Sequence, residues 1–248
     1  MRQLFQYLRT SVILCLLCLV LGWSLPAQAA TQVDSKLEQQ VLQILRDNPK
    51  AIINAVQGYQ LKQQETLQQA QQAFLQDLKT DPQGVIGDSP TTGATKSKTV
   101  LVEFSDFQCP YCAEVHKTLK SVVEKHKDNL TLVYKNLPLT LSHTEALPAA
   151  QAAWAAKQQG KFWEYHDALF TNQKQLGETL YLDLAKKLNL DLPKFESDRK
   201  LAKTAIEKDV QLADKLGITG TPFLVINTEN YTGAVQASEI EGRLANAS

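Results

Sequence analysis

Residues 99–112 read Thr99-Val100-Leu101-Val102-Glu103-Phe104-Ser105-Asp106-Phe107-Gln108-Cys109-Pro110-Tyr111-Cys112. The first six are β-branched, aliphatic or aromatic, the pattern of a buried strand. From Ala113 to Lys127 the chain takes on helical character. Two thiols three residues apart therefore stand at the start of a helix, directly after a strand. Cys109 falls at the helix N-cap, with Pro110 suited to the first turn. The N–H groups of Tyr111 and Cys112 lack intrahelical partners, and the helix dipole adds positive potential there. A free thiol, with a pKa of about 8.5, is mostly idle at neutral pH, so a helix terminus that favours the thiolate activates it. Cys109 is then the expected nucleophile. Cys112, one turn in, is the expected resolving thiol, and the pair closes into a redox-active disulfide with no other cofactor.

Other uses of the pair fit less well. Half of a zinc site needs further ligands, and apart from Cys109 and Cys112 only His116 lies one turn further along the helix. Haem attachment needs His at position 113, which is Ala. A structural cross-link over so small a loop constrains the unfolded chain weakly.

Working toward the N-terminus, Arg2 and Arg9, the apolar run Val12 to Leu21, and Ala27-Gln28-Ala29 have the order of a secretory signal peptide over residues 1–29, cleaved near Ala29. The apolar run is shorter than the roughly 20 residues of a spanning helix. Cys15 and Cys18 leave with this segment, and the mature chain keeps Cys109 and Cys112. It carries 24 basic against 26 acidic residues, and no basic patch suggests nucleic acid. The expected location is the periplasm or another exported compartment.

Residues 30–80 form a Gln-rich helical arm. Val33, Leu37, Val41, Ile44 and Leu45 keep helical spacing up to Asn48-Pro49, where Asn48 is the expected cap of a second helix. The stripe is narrow. It either packs on its own domain or pairs with copies of itself as an oligomerisation arm. Residues 81–97, rich in Pro, Gly, Ser and Thr, read as a linker. The domain over 98–248 is α/β: strand 99–104, helix 109–127, strand 130–134, a helical insertion over about 143–217, strand 223–226, a partner strand 231–235 and a last helix 236–245.

Glu103 lies in an apolar strand. It is either a buried acid with a raised pKa, accepting a proton near Cys112, or an edge residue facing solvent. Asp106 reads as a loop or capping residue. Thr221-Pro222 precedes strand 223–226, and the proline is either a trans residue starting that strand or part of a cis bond.

Three stretches together resemble the DsbA-like branch of the thioredoxin superfamily: Val102 to Cys112; His143-Thr144-Glu145-Ala146-Leu147-Pro148 with Gly160-Lys161-Phe162-Trp163; and Gly217-Ile218-Thr219-Gly220-Thr221-Pro222-Phe223. The resemblance implies a thioredoxin fold with a helical insertion. It implies Cys109 as the exposed nucleophile, Cys112 as the resolving thiol, Glu103 as the buried acid and Pro222 as cis, facing the dithiol beside Thr221. It also implies an extended substrate segment pairing with the backbone before Pro222, with Pro110 and Tyr111 shaping the same surface. Trp154, Phe162, Trp163, Tyr165 and Phe170 either line a substrate groove or pack as core. Pro-Tyr between the cysteines departs from the Pro-His of strong oxidants. Thr before the proline is similar to the isomerases, and the helical arm is similar to ScsC-type members.

The sequence thus points to an exported thiol–disulfide oxidoreductase, an oxidase first and an isomerase second. Its partners would be unfolded or misfolded exported proteins and a membrane redox protein. A copper- or zinc-binding chaperone using the same cysteines is the reading from another class.

Overall fold

The computed structural model describes residues 34–94, 97, 99–227, 229–232, 238, 240–242 and 244. The signal-peptide segment lies outside them. Two compact units divide at Tyr59 and Gln60.

In the first unit, α1 (Ser35–Asp47) starts at Asp34, whose side chain accepts from the Lys36 N–H. Asn48 accepts through its carbonyl from the Ala51 N–H of the next helix, but it does not cap that helix with its side chain. It closes α1, with its backbone N–H and its Nδ2 both donating to the Ile44 carbonyl. Pro49 then opens α2 (Pro49–Thr80). No residue of α1 is buried, and Leu37, Ile44 and Ile53 are 52, 61 and 53 % exposed. Among the described residues no helix is long and apolar enough to cross a membrane.

The second unit holds a five-stranded sheet in the order β1-β3-β2-β4-β5. Its strands are β1 (Thr91–Gly93), β2 (Thr99–Ser105), β3 (Leu130–Asn136), β4 (Phe223–Ile226) and β5 (Glu229–Thr232). β2 and β3 are parallel, with Glu103 opposite Tyr134, and the other pairs are antiparallel. The parallel pair requires a crossover, supplied by α4 (Pro110–Lys125). All seven residues of both central strands are buried.

The period of two in β2 sorts its side chains. Val100, Val102 and Phe104 pack with Phe74 and Leu78 of α2 and with Leu216 and Ile218. Leu101 packs with Val115, Leu119 and Val122 of α4. Glu103 shares the Leu101 face.

The presumed linker is partly structured. Pro82–Ile86 forms a short helix, α3, capped by Asp81, and Thr91–Gly93 is β1 at the sheet edge. Gly93 has φ +85°, and a Cβ there would collide with the Leu130 carbonyl. The hairpin register also differs from the expected one. β5 begins at Glu229, which stands opposite Ile226. Residues 238, 240–242 and 244 are helical, within the span of the expected last helix.

The insertion comprises α5 (Ala146–Lys157), α6 (Phe162–Thr171), α7 (Glu178–Lys187) and α8 (Leu192–Lys215). α5 buries seven alanines, small enough for close helix approach. Phe162, Tyr165 and Phe170 are buried in this block, and Trp154 and Trp163 pack against it, so these aromatics are core. The Trp163 indole also donates to the Thr91 carbonyl of β1 at 2.6 Å.

A candidate dithiol active site

Cys109 is the N-cap residue of α4, with extended backbone (φ −72°, ψ 120°), and Pro110 follows in the first turn. The thiol does not cap the helix. Its Sγ donates to the Thr221 carbonyl at 3.4 Å. The Thr221–Pro222 bond is cis, so a residue 112 positions further along the chain meets the dithiol. Cys109 is only 4 % accessible, which corrects the expectation of an exposed nucleophile, because the Thr221–Pro222 turn covers it. Cys112 is fully buried, whereas Tyr111 between them is 62 % exposed. The two thiols are unlinked.

The environment separates the two thiols. A hydrogen bond from Cys112 is the largest influence favouring the Cys109 thiolate. The N–H groups of Cys112 and Tyr111 and the nearness of Thr221 add to it against the cost of burial, bringing Cys109 down to about 5. The Thr221 hydroxyl itself has no hydrogen-bond partner among the described residues. Burial pushes Cys112 strongly upward, and the Cys109 and Glu103 charges push the same way.

Glu103 is 1 % exposed in a strand paired on both sides, so it is the buried acid and not an edge residue. Burial raises its carboxyl to about 7, tempered by the Ser105 hydroxyl. It borders a cavity of about 170 Å³ that is also lined by His116, Lys120, Glu124, His166 and Asp167. His116, His166 and Asp167 bring ligand atoms within 4.8 Å of one another, and neither cysteine belongs to this group. The Asp167 carboxylate already pairs with Lys120 at 2.5 Å and with His166 at 3.2 Å, and it is held at about 2. The trio is therefore already tied together by its own ion pairs, apart from Nε2 of His166, which has no partner among the described residues.

Asp106, read from the sequence as a loop or capping residue, and side chains that the sequence did not single out fix the loop before the dithiol. Asp106, 1 % exposed, accepts from the Gln108 N–H through Oδ1 and from the Leu139 N–H and His143 Nδ1 through Oδ2. Gln108 Oε1 accepts from the Glu145 N–H, and Gln173 Nε2 donates to the carbonyls of Phe107 and Cys109. The insertion thus clamps both ends of the loop. Gln173 lies far along the chain and belongs to no motif, and nothing in the His143–Pro148 stretch signals the Glu145 contact, so only the fold brings them here.

Residues 86–246, more than half of the chain, match the family model described as Thioredoxin. The chain belongs to the thioredoxin family. Among solved structures, this thioredoxin-family chain is similar to a thioredoxin-like oxidoreductase from Silicibacter pomeroyi DSS-3, with 30 % identity and a TM-score of 0.62 over 68 % of this chain and 96 % of that one. It is also similar to Proteus mirabilis ScsC in a transitional conformation, with 27 % identity and a TM-score of 0.60 over 88 % and 98 %. Both likenesses extend over nearly the whole of those solved chains. Among curated proteins it is 34 % identical over 158 residues to the Na(+)/H(+) antiporter NhaA 1 of Salinispora arenicola, covering 62 % of this chain and 24 % of that protein. The chain thus spans about a quarter of the curated relatives it matches.

The split thiols of this thioredoxin-family protein have a thermodynamic consequence. Cys109 sits at about 5 in the fold against an ordinary 9.0. Below pH 5 the thiol is protonated whether folded or unfolded and contributes nothing. Between these values the fold holds a thiolate that the unfolded chain would protonate, so the reduced form gains stability as pH rises. The gain is complete above 9.0 and is lost as pH falls through 5. Glu103, raised to about 7, acts in the opposite sense but in both redox forms. The melting temperature of the reduced protein minus that of the oxidised protein should therefore increase from pH 5 to pH 9. Calorimetry of the two forms checks this, and a flat difference would contradict the depressed thiol.

Proposed function

We propose that this thiol–disulfide oxidoreductase is an exported disulfide donor to folding proteins. In this reading Cys109 is the nucleophile and Cys112 the resolving thiol. The observation that carries it is the opposite displacement of two thiols one helical turn apart, with Cys109 at about 5 and Cys112 driven up. A stabilised Cys109 thiolate is a good leaving group and favours the reduced enzyme, which makes its disulfide oxidising. Thr219 and Gly220 are exposed ahead of Pro222, so their backbone is open to an extended client segment. Pro110, exposed Tyr111 and Thr221 frame the same surface. Export rests on the charge and hydropathy order of residues 1–29. The role requires a membrane oxidase to renew the disulfide.

Isomerase activity is the second reading. Thr221 before the cis proline supports it, and so does the arm. The likeness to full-length ScsC extends over 88 % of this chain, against 70 % for the ScsC catalytic domain. The exposed apolar face of α1 and the start of α2 supports pairing with further copies of the chain, which would present several dithiols to one client. Replacing Leu37, Ile44 and Ile53 by Glu should then lower the sedimentation coefficient to that of a monomer, with oxidation of a small dithiol peptide unchanged. A wild-type protein that already sediments as a monomer sinks this reading. Truncation through residue 90 is the wrong test, because Phe74, Leu78 and Ile86 belong to the core.

The deciding experiment supplies a multi-disulfide client in two states. Rapid oxidation of the reduced client with little rescue of the scrambled one is the expected result. Fast rescue of the scrambled client by prereduced enzyme would move the assignment to isomerase. Metal retained through purification, with no exchange activity, would instead support the chaperone reading.

A further inference from the structure

Two residues lining the 170 Å³ cavity carry buried polar atoms without partners among the described residues: Oε1 of Glu103 and Nε2 of His166. Their residues are 1 % and 2 % exposed. An unsatisfied buried group costs stability, so each calls for a reason. His166 makes the question sharper. Its ring is surrounded by Tyr134 and Phe170 at 4.9 Å, Trp163 at 5.0 Å, Phe162 at 5.5 Å and Phe107 at 5.6 Å, centroid to centroid. An apolar ring would satisfy such a setting without leaving a nitrogen bare.

The opposite ring nitrogen leads outward. Nδ1 lies 3.2 Å from Oδ1 of Asp167, whose side chain is 33 % exposed and whose Oδ2 is held by Lys120. The cavity has room for waters between the buried carboxyl and the ring. Imidazole suits this position because it takes a proton at one nitrogen while releasing one from the other. His116 closes the network, its Nε2 3.7 Å from the same Asp167 oxygen.

We propose that His166 and Asp167, through waters in this cavity, are the proton route between Glu103 and bulk solvent. This rests on the exchange reaction proposed for Cys109 and Cys112. When a client thiolate attacks Cys109 of the disulfide, the Cys109–Cys112 bond breaks. Cys112 leaves with the electron pair as a thiolate and takes the Glu103 proton. Glu103 then regains a proton from solvent. Asp167 takes one from bulk water and passes it to Nδ1 of His166 in the tautomer protonated at Nε2. Nε2 gives up its proton to the cavity waters, which return one to Glu103. In the resolving direction the proton runs the other way. His166 acts through Glu103, so it is a positioning residue for proton transfer and touches no reacting sulfur. The groups facing it are consistent with this. Burial lowers His166, and burial first of all, then the neighbouring His166, brings His116 to about 4, so both rings rest neutral while Asp167 stays ionised.

The test follows single-turnover reduction of the oxidised protein by a small dithiol across pH 6 to 8. His166→Phe keeps an aromatic ring in the aromatic wall and removes both nitrogens. It should slow the step about a hundredfold, at the modest end of what a positioned proton carrier supplies. It should also introduce a solvent deuterium isotope effect, and leave the Cys109 thiolate absorbance titrating as in the wild type. Glu103→Gln should slow the step as well, and adding His166→Phe to it should slow it no further, since both act on one route. Asp167→Asn, near the surface, gives the same slowing if His166→Phe fails to fold. An unchanged rate and pH profile in these variants, or full additivity with Glu103→Gln, overturns the route. A wild-type protein without Cys109-dependent reaction overturns the exchange reading itself.

Discussion

Cys109→Ser is expected to abolish disulfide exchange, with the rate falling at least about a thousandfold, while the protein still folds. Activated nucleophiles carry the covalent step, and a serine hydroxyl beside these donors has no comparable ionised form. The position tolerates the change structurally. Its thiol donates to the Thr221 carbonyl, which a hydroxyl also does. Cys112→Ala should differ in kind, because client proteins would accumulate as mixed disulfides on Cys109, visible on non-reducing gels. Full exchange by Cys109→Ser would end the assignment of the nucleophile.

Phe107→Ala is expected to be the most damaging single change to the fold away from the thiols. The ring is 1 % exposed and stacks on Tyr134 at 5.3 Å and Phe170 at 5.1 Å. It joins the sheet to the insertion at the turn that carries the dithiol. Truncating a buried Phe costs about 3–5 kcal/mol through lost burial and the cavity left behind. For a chain of this size that is a drop of roughly 10 °C in melting temperature. Thermal unfolding checks it, and a shift of a degree or two would mean the site collapses to fill the space.

The dithiol and its helix were legible because their signals are local: a strand period, a proline in the first turn and a spacing of three. The cis proline and the helical insertion were legible through three motifs taken in order. Features made by long-range pairing were not. β1 is three residues long, and only its partner Thr131–Val133 gives it a sheet. Asn48 carries the composition of an N-cap, yet its amide goes back to Ile44. Glu103 was ambiguous as a letter and became a buried acid once β2 was found paired on both edges. The cover over Cys109 was also invisible, since it comes from a turn 112 residues away. The clamp by Gln173 and the Asp106–His143 contact depend in the same way on where the insertion docks.

The described fold holds together without a cross-link: its cysteines are the two thiols of the reactive pair, and the core is aliphatic, aromatic and alanine-packed. A disulfide donor of the kind proposed, built this way, would not depend on its own product to mature, and it could be the first of its kind to become active in a compartment that contains none.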